Sequence, residues 1–249
     1  MLTKIIKILL LTICFYKISS FCKKETDGFS LGRVNSSLSL PLTNQGNRTL
    51  TESILKQPFH YLARGGQMFV FVSEDQKHVL KFFKNTSYPL LSLQKYQLKK
   101  TAKLMRDVHG YMLAFERLPE ESGLVFLKLE IMTPFEQEIT LIDKLGIVHK
   151  LPLQKTLFAI QKKGEPLAGY LKKAENVQNV FDSLGHLMLT RRAQGIDDKD
   201  SYLQQNIGFI NGKPCFLDPG KFTEASSQTE SYPEKFLSWV KENYPEALL

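Results

Sequence analysis

The hydrophobic pattern of the chain changes period along its length. Gln67 to Val72 alternates loosely and is rich in Phe and Val, Ser73-Glu74-Asp75-Gln76 reads as a turn, and Lys77 to Lys84 carries Val79, Leu80, Phe82 and Phe83. Two strands and a tight connection are expected there. Beyond Pro89 the spacing lengthens. Leu91, Leu98, Ala102, Met105 and Val108 fit one face of a helix running to about Met112, with lysines on the other face. Strand-like runs follow at Leu124 to Ile131, at Ile139 to Leu151 with a break at Lys144-Leu145-Gly146, and at Thr156 to Gln161, closed by Lys162-Lys163-Gly164. The last third is different. Val177, Val180, Phe181, Leu184, Leu187 and Met188 form a helical face that stops at Gly195. Ser231-x-x-Glu234, with Pro233 inside it, is a capping box opening a final helix that carries Phe236, Leu237, Val240 and Tyr244. Strands first and helices later predict an α+β protein of two lobes: an antiparallel sheet with one inserted helix over 56–163, and a reduced, mainly helical part over 164–249.

The N-terminus has its own pattern. Lys4 and Lys7 precede an apolar run from Ile8 to Tyr16, and the small pair Ser19-Ser20 follows. Residues 1–24 therefore read as a signal peptide or membrane anchor, and the protein as exported or membrane-anchored. From residue 25 to 55 Ser, Thr, Asn and Gly predominate, which predicts a flexible linker.

Charge narrows the choice of partners. The net charge of +8 contains five lysines from residues 1–24, where there is no acid. A basic stripe recurs at Lys95, Lys99, Lys100, Lys103 and Arg106, but no aromatic platform for base stacking accompanies it, so nucleic acid is not the expected partner. Cys14, Cys22 and Cys215 have no metal-ligand spacing and imply no disulfide framework.

Chemistry concentrates near the C-terminus. Asn206 precedes a short strand, Ile207 to Ile210. Asn211-Gly212 is a strong hairpin turn, and Pro214 to Leu217 returns to deliver Asp218-Pro219-Gly220 beside the Asn. Two oxygen ligands, Asn206 and Asp218, then converge. So few oxygens suit a magnesium ion carried in on a phosphate better than an all-protein calcium cage.

Four stations in this order resemble the protein-kinase-like fold. Ala63-Arg64-Gly65-Gly66-Gln67-Met68-Phe69-Val70 is similar to the glycine-rich phosphate loop, keeping its central glycine as Gly65 and its final valine as Val70, with Ala63 and Met68 at the outer glycine positions. Val79-Leu80-Lys81 looks like the third-strand lysine motif, Asn206 like the catalytic-loop Asn, and Asp218-Pro219-Gly220 like the D-F-G triplet. The resemblance covers about residues 56–222 and implies ATP and magnesium as cofactors. Gly65, Gly66 and Lys81 would meet the phosphates, Asn206 and Asp218 the metal. Adenine would sit at a hinge near Gln161 to Gly164.

The chain also departs from that pattern. The family's base stands five residues before its Asn. Here Ser201 holds that position, and Asp200 and Asp198, six and eight before, are the candidate catalytic carboxylates. No acid occurs from Phe82 to Arg106 to orient Lys81. Asp107 and Glu116 come first, with Glu130 as a substitute further on. Only 29 residues follow Gly220, too few for the usual peptide-docking platform. These features imply a pseudokinase or nucleotide-binding interaction module at or beyond the membrane, with a protein partner. The alternative is a magnesium-dependent phosphotransferase acting on a small or atypical substrate.

Overall fold

The computed structural model describes residues 2–36, 42–85, 94–131, 135–225, 234–245 and 247. Pro89, Leu91, Ser231 and Pro233, to which the sequence assigned helix starts, lie outside them. The chain is a mixed α+β structure. It opens with α1 (Leu2–Glu25), then β1 (Gln45–Gly46), α2 (Arg48–Ile54), β2 (Phe59–Arg64), β3 (Met68–Ser73), β4 (His78–Phe83), α3 (Gln94–Arg117) and α4 (Pro119–Ser122). Next come β5 (Leu124–Lys128), β6 (Glu138–Ile142), β7 (Val148–Pro152) and β8 (Phe158–Lys162). The last part holds β9 (Glu165–Pro166), α5 (Leu167–Leu171), α6 (Val177–Ala193), β10 (Ile196–Asp198), α7 (Leu203–Asn206), β11 (Ile207–Ile210), β12 (Lys213–Phe216), β13 (Phe222–Glu224) and α8 (Glu234–Asn243).

Among the described residues the main sheet has eight strands in the order β1-β5-β8-β4-β3-β2-β6-β7. Its pairs are antiparallel except β2 with β6, which run parallel. Alternation along the central strands divides their side chains between two environments. Phe69, Phe71, Leu80, Phe82, Phe158 and Ile160 enter an aromatic cluster on one face, where Phe71 packs edge-on to Phe82 and Phe82 to Phe158. On the other face, Met68, Phe83 and Ala159 join a second cluster with Val108, Tyr111 and Ala114 of α3 and with α6, β11 and β12. That second cluster reaches across residue 164, so the sheet and the later segment share a core.

Several expectations are corrected. The apolar face drawn for α3 fits only its second half: Leu98 is 65% exposed and Ala102 is exposed, whereas Asp107, Val108, Tyr111 and Ala114 are buried. The helix runs past Met112 to Arg117. The stretch read as a flexible linker is packed in part. Phe29, Val34, Ile54 and Leu55 are buried in the aromatic cluster, and Asn47 caps α2 by accepting from the Leu50 N–H at 3.0 Å. Its polar composition describes its outer surface, and the few apolar residues between are the ones that anchor it. β2 went unread because three of its six residues, Leu62, Ala63 and Arg64, are exposed and blunt the alternation.

α1 is longer than the apolar run that signalled it. Lys4–Glu25 is long and apolar enough to be a signal peptide or to cross a membrane, and none of it is buried against the body.

Candidate functional site

A cleft of about 580 Å³ lies between the second face of the sheet, α3 and the β11–β12 hairpin. It gathers residues from distant parts of the chain: Gly65, Gly66, Lys81, Asp107, Tyr111, Asp200, Asn206, Asp218 and Lys221 all line it.

The hairpin is built as its sequence dictates. Asn211 (φ +50°) and Gly212 (φ +77°) both adopt positive φ, as a two-residue hairpin turn requires, and β11 pairs with β12 from Ile207–Phe216 to Ile210–Lys213. At its open end the Asn206 carbonyl accepts from the Leu217 N–H at 2.6 Å and from the Asp218 N–H at 3.4 Å, which fixes the Asn beside the Asp. The Asn206 side chain donates Nδ2 to Asp200 Oδ2 at 2.7 Å. That leaves its amide oxygen as the atom free to face a cation.

Asp218 Oδ1 accepts from the Tyr111 hydroxyl at 3.2 Å and from the Gly220 N–H at 3.2 Å. Lys81, buried on β4, donates to the Leu217 carbonyl. Burial lowers its pKa, and the charge of Asp218 opposes that shift. No α3 carboxylate is hydrogen-bonded to this lysine among the described residues. Its ammonium stands 5.8 Å from the centre of the Tyr111 ring instead. Of the acids expected to serve it, Glu116 accepts from Gln45 Nε2 at 2.7 Å, and the Glu130 backbone carbonyl accepts from Lys128 Nζ at 2.8 Å.

Asp107 does reach the cleft. It is 8% exposed, and its Oδ2 is buried with no hydrogen-bond partner. Burial, opposed by Lys103 and reinforced by the charge of Asp218, raises its pKa to about 6. A buried carboxylate oxygen without a donor, beside a second carboxylate, is a donor set that fits a small divalent cation. Among the described residues no group of three or more His, Cys, Asp or Glu gathers around one point. A cation here would complete its shell with the Asn206 oxygen, water and ligand phosphate.

Asp200 lines the cleft, but its oxygens are engaged. Oδ2 accepts from Asn206 and pairs with Lys221 Nζ at 2.9 Å, and Oδ1 accepts from the Tyr202 N–H at 3.0 Å. Burial raises its pKa, but Lys221, Tyr202 and Asn206 together outweigh that and hold the carboxyl below its usual range. Asp198, the other candidate base, does not line the cleft. It is buried behind the wall, 3.5 Å from Arg191 Nη1, and accepts from the Asp200 N–H at 2.8 Å. Burial pushes its pKa to about 6.

The glycine loop is held from below. Lys84 donates to the Gly65 and Gly66 carbonyls, and its N–H donates to the Gln67 carbonyl at 2.8 Å. The Gly65 N–H is engaged with Met68 O at 3.0 Å, so it cannot serve a phosphate as the sequence implied. The Gly66 N–H has no partner among the described residues, and a β-carbon on Gly66 would meet nothing within 4 Å, so the space over the loop is open to a ligand. At the opposite wall, Gln161 donates to Ser122 O at 2.6 Å and Phe216 O at 2.9 Å, joining β8 to α4 and to the hairpin.

Sequence reasoning missed Tyr111, Lys84 and Lys221. Lys84 carried a faint signal as a lysine directly after Phe82-Phe83 at the end of β4. Tyr111 carried none, since a buried tyrosine on a helix face reads as core.

No protein-family model matches the sequence, and no curated protein does either. Solved structures of WbdD, one described as a bifunctional kinase-methyltransferase, align with 70% of this chain at 15% identity and a TM-score of 0.39. WbdD with a kinase inhibitor aligns with 75% of it at 13% identity and 0.41, and WbdD with its C-terminal bundle ordered with 76% at 15% and 0.43. The chain spans 33–37% of the length of these proteins, so the likeness is distant and partial.

Proposed function

We propose that the protein is a divergent kinase-like module whose cleft binds a nucleoside triphosphate together with a divalent cation, at or beyond the membrane. One observation carries this reading: Lys81 from the early sheet and the Asn206–Asp218 pair from the late hairpin line a common cleft with the Gly65–Gly66 loop. Lys81 and the Gly66 N–H would meet phosphate oxygens. Asp218, the Asn206 amide oxygen and Asp107 would hold magnesium, which would neutralise phosphate charge.

The binding role is favoured over turnover by the state of Asp200. A base must offer a lone pair to a hydroxyl proton, and here Lys221, Asn206 and the Tyr202 N–H already occupy those positions. The reading as a magnesium-dependent phosphotransferase has its own support. Lys221 is 54% exposed at its side chain, so it can leave Asp200 for an incoming phosphate and free Oδ2 to accept a proton.

Thermal shift with ATP and magnesium tests the proposal. Ligand at a hundred times its dissociation constant should stabilise the protein by about 2.7 kcal/mol, and Asp218→Ala should abolish the shift. No shift with any nucleotide overturns it. Nucleotide consumption that stops in Asp200→Ala, with binding retained, would establish the phosphotransferase.

A further inference from the structure

The helix long and apolar enough to cross a membrane is joined to the body by a packed, hydrogen-bonded segment, on the side of the glycine loop. α1 is apolar around its whole circumference, with Ile8, Leu11, Phe15, Ile18 and Phe21 each more than half exposed, as a lipid-facing helix is and a surface helix is not. Past Glu25 the chain stays ordered. The Thr26 N–H donates to Cys22 O at 3.0 Å, Asp27 and Gly28 take positive φ, and Phe29 is buried against Phe69 and Phe71. Asp27 accepts from the Tyr61 hydroxyl of β2 and from Lys144 Nζ of the β6–β7 turn, each at 3.0 Å. The root of α1 is thus fastened to two parts of the sheet.

Both parts lie at the same edge, because β2 and β6 are parallel and Phe59–Leu141 and His60–Ile142 are in register. Past the end of β6, the turn displays Leu145 (52% exposed), Ile147 (52%) and Val148 (60%). They are presented by a shaped loop, since Asp143 Oδ1 accepts from the Leu145 and Ile147 N–H groups at 2.9 and 3.0 Å. Past the end of β2 is the glycine loop of the cleft. Arg33 and Arg64 stand beside the root of α1: a β-carbon on Gly28 would lie 2.8 Å from Arg33 Nη1 and 3.9 Å from Arg64 Nη1. Of the two carboxylates named at this edge, Asp27 is paired with Lys144 and Asp143 lies 2.7 Å from His149 Nε2.

We propose that this edge rests on the bilayer that α1 enters, with Leu145, Ile147 and Val148 in the interfacial layer, Arg33 and Arg64 among anionic headgroups, and the glycine-loop side of the cleft at the membrane surface. The proposal rests on reading α1 as a retained anchor. Exposed apolar side chains at the same edge as cationic groups are what an interfacial contact with an anionic leaflet requires. A second protein is a poorer occupant, because an apolar helix fixed at the same edge already commits that edge to lipid.

The test uses the full chain reconstituted in phosphatidylcholine vesicles with and without phosphatidylserine. Cys14 and Cys22 are changed to Ser, and the buried Cys215 is left in place. An environment-sensitive fluorophore is then attached at Ile147→Cys, at Leu10→Cys on α1, or at Leu189→Cys, an equally apolar and 67% exposed position on α6. The label at 147 is expected to shift to shorter wavelength and to lose emission to a lipid-borne quencher, more strongly with phosphatidylserine. The label at 189 should do neither. If 10 is quenched and 147 behaves like 189, the helix anchors the protein but the edge stands clear, and the proposal is wrong. If neither 10 nor 147 meets lipid, the anchor reading falls and takes the proposal with it. The nucleotide reading is untouched by either outcome.

Discussion

The Tyr111 hydroxyl donates to Asp218 Oδ1 across 3.2 Å, so a phenol on α3 meets the carboxylate at the open end of the hairpin. Lys81 bonds the Leu217 carbonyl, next to Asp218. The lysine, the tyrosine and the aspartate stand together on the wall of the cleft. Tyr111→Phe deletes a hydrogen bond to a charged acceptor while leaving Asp218 its bond to the Gly220 N–H. The expected loss is about 1.5–3 kcal/mol of unfolding free energy, read from urea transitions.

Asp107 sets a pH dependence. Its pKa, 3.8 in the unfolded chain, rises to about 6 in the fold through burial. Between those values the folded protein holds a proton that the unfolded chain has released, so its contribution makes stability fall as pH rises from 4 to 6. Asp107→Asn should flatten that part of the pH–stability curve. Magnesium with nucleotide should restore stability above pH 6 in the parent protein and much less in the variant. Curves that superimpose without ligand would refute this role for Asp107.

Gly110 lets α3 lie directly on the Asp-Pro-Gly segment. A β-carbon there would stand 2.3 Å from Pro219 O, 3.0 Å from Gly220 C and 3.1 Å from Phe222 N. All three are backbone atoms with little freedom to retreat. Gly110→Ala gains about 1 kcal/mol of helix propensity. Overpacking at such a contact costs up to about 3 kcal/mol. A net loss of about 2 kcal/mol is expected, with weakened ligand response as Asp218 shifts. An unchanged melting curve would contradict the close approach.

Lys128 is a structural lysine. It is fully buried on β5 and donates to the carbonyls of Glu130 (2.8 Å), Gln154 (3.0 Å) and Thr156 (3.0 Å). Lys128→Met keeps the volume and strands three acceptors. A loss of about 3 kcal/mol is expected in a denaturant titration, whereas a surface lysine would change almost nothing.

These residues differ in how far the sequence announced them. The hairpin was legible because Asn211-Gly212 can supply the two positive φ angles that turn requires, and α6 because its apolar period is unbroken from Val177 to Met188. The joint placement of Lys81, Asn206 and Asp218 was legible as an order of motifs. The second half of α3 was not separable from the first, since periodicity alone does not say which turns of a helix the core covers. Lys128 was invisible because two of its acceptors lie 26 and 28 residues away along the chain. The difference between Asp200 and Asp198 needed three dimensions: Asp198 ends β10 beside Arg191, and Asp200, two residues on, lines the cleft.

With only a hydrogen at Gly110, the α3 backbone rests directly on the backbone of the segment that follows Asp218, and no side chain stands between them there to give way. The position of the aspartate is therefore set by main-chain contact with the helix, so a substitution that displaces either backbone would carry the carboxylate with it.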